Sequence, residues 1–304
     1  MKRLLCLAII CLMAAPASAV TLDGSTTGDG YSLRSVQTVQ TQFGDNASEL
    51  NAAWASVTGG NLNLVLTGNL EGNFNKLNIF IDSVPGGENQ ITASTGSGGS
   101  NPGNDGWANK YAGFMFDSGF AADYLLINRN GNFGGDRFDF DFNSVGNTSV
   151  VESSTNIFGG SKTGTNASVG ASGIGVSFNN SNAAGITGGT GAADQSAAQA
   201  VTTGLEFVIP LAAIGNPNPA DIKISAMVNG SNHDFLSNQF LRGLAPPQGN
   251  LGGDGNANFT GNVGGINLKN FAGNQFFTVI PEPASLALAG MAMIGLVLGR
   301  GRKS

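Results

Sequence analysis

Phe138-Asp139-Phe140-Asp141-Phe142 alternates without a break, three aromatic rings against two carboxylates. Side chains of an extended chain point to opposite faces with a period of two, so this segment reads as an antiparallel strand with one apolar face. The other face would be solvated, which places Asp139 and Asp141 in water. Segments 62–66 and 77–82 alternate or run apolar between Gly and Asn turns, and 112–117, 124–128, 205–209, 222–228 and 235–241 are further strand candidates. With 47 glycines in 304 residues, and much Asn, Ser and Thr, turns are frequent and long helices are disfavoured. Many short strands separated by turns indicate an all-β antiparallel β-sandwich or jelly roll. Two stretches read as looser, 86–106 and 159–204, with one short helix expected over 192–201, where alanine is dense. One domain over 20–280 is the economical count.

The ends have a different character. Met1-Lys2-Arg3 precedes an apolar run over 4–15, and Ala17-Ser18-Ala19 closes it. A basic start, a short apolar core and a small-x-small site make a secretory signal peptide over 1–19, with a leader helix and cleavage by signal peptidase after Ala19. The run is shorter than the roughly 20 residues a membrane span needs. At the other end, Val279-Ile280-Pro281-Glu282-Pro283 leads into an uncharged stretch over 284–299 and then Arg300-Gly301-Arg302-Lys303-Ser304. Sixteen residues make a helix of about 24 Å, which Arg300 can extend by snorkelling, so a transmembrane helix over 284–299 is expected. The basic cluster would face the cytoplasm and the helix would anchor the chain in the inner membrane. Pro281, Glu282 and Pro283, the apolar stretch, and Arg300, Arg302 and Lys303 together resemble the tripartite PEP-CTERM sorting signal over 281–304. That resemblance implies handling by an exosortase, a membrane protease-transpeptidase that cuts near the Pro-Glu-Pro. It further implies residence at the cell surface or in the extracellular matrix of a polysaccharide- or biofilm-forming bacterium.

Composition excludes several classes of function. Cys6 and Cys11 both lie in the leader, so the mature chain has no thiol for a disulfide, a thiolate metal site or a cysteine nucleophile. Residues 20–280 hold 9 Lys and Arg against 19 Asp and Glu, a balance that disfavours nucleic acid and anionic membrane surfaces. His233 is the sole histidine, too few imidazoles for a zinc site, and no Gly-x-Ser-x-Gly accompanies it. A loop residue bonded to its sequence neighbours is the expectation there. Asp139 and Asp141, about 7 Å apart by strand rise, have the spacing of an inverting glycosidase pair, but any strand with alternating acids shows it. A non-catalytic protein is expected, with a secreted carboxylate-based glycoside hydrolase or a ligand-free matrix protein as alternatives.

Hard oxygen ligands would suit a structural calcium, with Asp82, Asp105, Asp117 and Asp254 as candidates and Asp123 and Asp136 beside them. Extracellular polysaccharide would need an exposed aromatic platform. Trp54, between alanines, is assigned to the core, while Trp107 and Tyr111, in the polar setting of Asn104-Asp105-Gly106, are the candidate sugar platform. Finally, Gly204-Leu205-Glu206-Phe207-Val208-Ile209-Pro210-Leu211, with the Leu77-to-Asp82 strand, is similar to the strand-and-turn of family 9 carbohydrate-binding modules and related DOMON-type sandwiches. That likeness implies a sandwich and, with it, carbohydrate binding.

Overall fold

The computed structural model describes residues 20–92, 106–146, 149–159 and 167–279. The leader and the C-terminal sorting segment, with the helices expected in them, lie outside the described residues. The strands are, in chain order, β1 (Ser32–Val36), β2 (Glu49–Thr58), β3 (Asn61–Asn69), β4 (Lys76–Asp82), β5 (Tyr124–Asn132), β6 (Asp136–Ser144), β7 (Ser149–Ser154), β8 (Ala167–Val169), β9 (Gly175–Phe178), β10 (Gly204–Pro210), β11 (Lys223–Asn229), β12 (Leu236–Leu241) and β13 (Phe277–Thr278). They form two antiparallel sheets. The first has the order β1, β2, β3, β10, β9, β8; the second has β12, β11, β4, β5, β6, β7, with β13 also on β11. The expected antiparallel β-sandwich is the fold.

Between the sheets lies one apolar core, made by the alternation read in the sequence. Leu62, Leu64 and Leu66 on β3 and Phe207 and Ile209 on β10 meet Leu77, Ile79 and Ile81 on β4 and Phe138, Phe140 and Phe142 on β6. Phe138 of the second sheet contacts Phe178 of the first at 5.0 Å between ring centroids. Burying each such side chain stabilises the fold by about 1.5–3 kcal/mol.

The outer face of the second sheet is not solvated. Phe80, Leu125, Ile127, Met227 and Phe240 point away from the sandwich into a second apolar core. Segments 88–92, 106–122 and 244–271 form a third layer over that face. Its aromatic side chains Tyr111, Phe114 and Phe116 meet one another and Phe80 edge to face, and Phe120 follows tilted against Phe116, with centroids 4.9–5.3 Å apart. A strand covered on both sides loses strict alternation, which is why 77–81 reads as nearly continuous apolar sequence.

Two sequence expectations change. Residues 112–117 are not a strand; Phe114, Met115 and Phe116 bond instead to Ile91, Ile266 and Asn89 across the third layer. The stretch 159–204, expected to be loose, supplies β8 and β9 with Ile174, Val176 and Phe178 in the core. The predicted helix is there as α2 (Gln195–Ala200), capped by the Asp194 carboxylate on Ser196 and Ala197 N–H. Strands β1 and β2 went unread because their apolar residues are mostly alanines or lie beside serine.

Glu206 explains part of the motif around it. The carboxylate is fully buried on the outer face of the first sheet. It accepts the backbone N–H groups of Asp23 (2.8 Å) and Gly24 (2.7 Å) and the Tyr31 hydroxyl (2.5 Å). Those bonds strap residues 23–31 across the sheet. A side chain at Gly204 would place its Cβ 2.2 Å from the Leu66 carbonyl oxygen, so only glycine fits there. Glu206→Ala should leave two backbone donors and a hydroxyl unpartnered, costing about 1–3 kcal/mol. Hydrogen exchange should rise selectively over residues 20–31, and unchanged protection there would remove the strap.

Burial raises the pKa of Glu206, Glu49, Asp117 and Asp123 above the usual carboxylate range, outweighing the hydrogen bonds that oppose it. These groups hold protons more tightly folded than unfolded, so their contribution to stability is full at low pH and is lost as pH rises through the raised values. Glu152 is lowered, because although burial raises it, the Ser172, Ser154 and Ala171 donors prevail; its contribution is lost as pH falls. The Tm should therefore decline from about pH 4.5 toward pH 7. Glu49→Gln or Glu206→Gln should flatten that decline, and a Tm that rises over this interval would contradict the assignment.

Candidate functional site

Trp107 and Tyr111 are not a surface platform. Gly106 in the left-handed conformation starts a five-residue helix, α1 (Trp107–Tyr111), whose i and i+4 positions share a face. That face points down onto the second sheet, and both side chains are fully buried. The Tyr111 hydroxyl receives Asn229 Nδ2 at 3.1 Å. The two tryptophans have exchanged their expected roles. Trp54 stands half-buried on the outer face of the first sheet, paired across strands with Leu33 and Val65. Its alanine neighbours are apolar because they point the other way, into the sandwich.

His233 also reaches beyond its own loop. It lies in the β11–β12 turn with φ of 54°, fully buried, its ring edge-on to Tyr111 at 5.9 Å. Its backbone N–H donates to the Gly230 oxygen within the turn at 3.0 Å, as expected of a loop residue. Its Nδ1 sits 3.3 Å from Asn78 Nδ2 on β4, so the imidazole also ties the turn to the sheet.

Asp139 and Asp141 are buried, not solvated. They lie on the outer face of the second sheet, and Arg129 of the adjoining strand reaches Asp141 at 2.7 Å and Asp139 at 3.9 Å. Arg137 closes on Asp139 at 2.7 Å. A hydrolytic pair needs room for a sugar ring and a water between its carboxylates; here a guanidinium fills that room. Arg129→Ala should cost about 3–5 kcal/mol, because it abandons a buried carboxylate. Urea denaturation would show this, and a loss below 1 kcal/mol would mean the carboxylates are neutralised by other means.

The calcium candidates do not converge. Asp82 pairs with Lys223 Nζ at 3.0 Å, Asp117 accepts Gln275 N–H at 2.6 Å, and Asp254 caps its own exposed turn through Asn256 and Asn258. Asp123 accepts Ser83 and Val84 N–H, and exposed Asp136 receives Asn132 Nδ2. Asp105 lies outside the described residues. Among the described residues no three His, Cys, Asp or Glu side chains gather into one cluster.

What the structure does present is a groove along the edge of the sandwich where β1 and β13 approach each other. One part, of about 560 Å³, is lined by Arg34, Ser35, Gln195, Arg242, Asn274 and Phe276, among others. A second part, of about 600 Å³, adjoins it through Thr38, Arg242 and Asn274 and runs past residues 243–246. Arg34 enters because β1 bulges between Leu33 and Ser35, leaving it without a cross-strand partner and re-aiming its side chain. Burial lowers the Arg34 pKa from its ordinary value, as desolvating a cation does. The composition reading missed this site because its residues come from four distant segments, and the only local signal was a lone arginine in Ser32-Leu33-Arg34-Ser35.

The last described residues decide the question of address. Val279, fully buried, donates its N–H to Ile222 at 3.0 Å, and the sorting segment follows at once. Residues 279–303 match the PEP-CTERM protein-sorting motif. The chain carries a PEP-CTERM tail. It is therefore an exported protein, held at the membrane before an exosortase processes it. Pro281, Glu282, Pro283, Arg300, Arg302 and Lys303 fall within this matched region, outside the described residues, as Ala17 and Ala19 do at the leader. Among the described residues no helix is long and apolar enough to cross a membrane. No curated protein and no solved structure matches the chain.

Proposed function

We propose that this PEP-CTERM protein is a non-catalytic component of the cell surface or extracellular matrix that associates with polysaccharide through the groove at the sandwich edge. The observation that carries the reading is the combination of a sorting tail with an open groove rich in amides, hydroxyls and guanidinium groups. Polar groups of this kind bond sugar hydroxyls, and Phe276 offers an apolar wall. The described acids that alternate on β6 are locked in ion pairs, which weighs against the hydrolase reading. The sandwich is complete before Pro281, so removal of the tail would leave the groove intact.

Two measurements test it. Replacing Pro281, Glu282 and Pro283 by alanine should leave the precursor at full mass in the membrane fraction of the host, whereas the parent chain is trimmed. Equal trimming of both would refute processing at this motif. The host's own extracellular polysaccharide should co-sediment saturably with the exported protein, and no association at any concentration would leave a purely structural matrix role.

A further inference from the structure

The groove is where this acidic chain gathers arginines and excludes acids. Between 20 and 280 there are 9 Lys and Arg against 19 Asp and Glu, yet neither part of the groove is lined by any Asp or Glu. Elsewhere the cations are spent on the fold. Arg129 and Arg137 neutralise the β6 carboxylates, Lys223 pairs with Asp82, and Lys110 and Lys269 bond to Gly261 and Asn89 oxygens. Arg34 and Arg242 are different. Neither has a carboxylate within 4 Å among the described residues. Arg34 makes one long bond, Nη2 to the Ala55 oxygen at 3.4 Å. A half-buried guanidinium with unused donors, facing a groove free of acids, is set to take an anion from outside.

We infer that the groove binds a polysaccharide bearing carboxylates, a polymer of the uronate class, with Arg34 and Arg242 gripping successive acid groups. This rests on the polysaccharide reading above and names its chemical class. The planar fork of each guanidinium matches a carboxylate through two parallel bonds. Asn274, Gln195 and Thr38 line the groove together with the arginines and offer polar groups for ring hydroxyls. Net charge favours a uronate polymer over nucleic acid. The body is strongly acidic and repels dense polyanions, whereas a uronate chain carries one charge per sugar ring, and duplex DNA carries one per about 1.7 Å.

The test uses the exported full-length protein in neutral detergent, with sodium polygalacturonate as the probe and dextran as an uncharged polymer. Polygalacturonate should bind saturably and more weakly as salt rises, and dextran should bind little. Arg242→Gln, on an exposed side chain, and the Arg34→Gln/Arg242→Gln double variant should weaken polygalacturonate binding, the double by at least about tenfold, given two lost charge-assisted pairs. Lys269→Gln, a cation that lines neither part of the groove, should leave it unchanged, and matching thermal melts would show that all variants fold. Undiminished polygalacturonate binding by the folded double variant, or equal affinity for dextran, would overturn the inference. Equal affinity for polyglutamate would overturn the saccharide assignment. If the host polysaccharide still binds the double variant, the broader reading survives without this one; if it binds no form, the broader reading fails too.

Discussion

The constraint on which this structure depends is that its second sheet is buried on both faces. One face of β4, β5 and β11 meets the first sheet, and the other meets a layer of loops and one short helix. Any polar group on that outer face must then find a partner within the protein. Asp139 and Asp141 answer with Arg129 and Arg137, Asn78 with His233, and Asn229 with Tyr111. The third layer in turn holds itself down with aromatic rings, whose edge-to-face contacts add to the area they bury. So the residues that look most chemical in the sequence are spent on stability, and the ligand-binding surface is left to the edge.

The two ends of the described body, near residues 20 and 279, are handled in a related way. The start is strapped to the first sheet by Glu206, and the finish is stitched to the second by β13 and Val279. Both anchors lie inside the points at which processing is expected. Leader removal and tail cleavage can therefore alter the address of the protein without unravelling either core. This separation of sorting from folding suits a chain that is exported, held at the membrane and then trimmed.

Much of the fold was legible. Leu62 to Leu66, Phe138 to Phe142 and the Gly204-to-Pro210 strand show their periodicity and end in turn residues, and each became a strand in the expected register of faces. The sites were less legible. Trp107 was read from the polar residues before it, although its spacing to Tyr111 was that of a helix face. Trp54 was read from alanines that point to the opposite side of its strand. In both cases the sequence neighbours of a residue were taken for its spatial ones, which in β-structure they seldom are.

By itself the sequence determined what local chemistry can encode. It set the alternation that makes strands, the absence of thiols from the mature chain, the acidic balance, and the sorting tail, whose function is read by other proteins from linear motif. Only the tertiary structure decided which face of each strand meets water, because a third layer from residues 88–92, 106–122 and 244–271 covers a face that alternation alone marks as outer. It alone decided that Arg34 and Arg242, some 200 residues apart in the chain, share one groove. Proximity between distant segments follows from sheet order and crossovers, and no local pattern of residues carries that information.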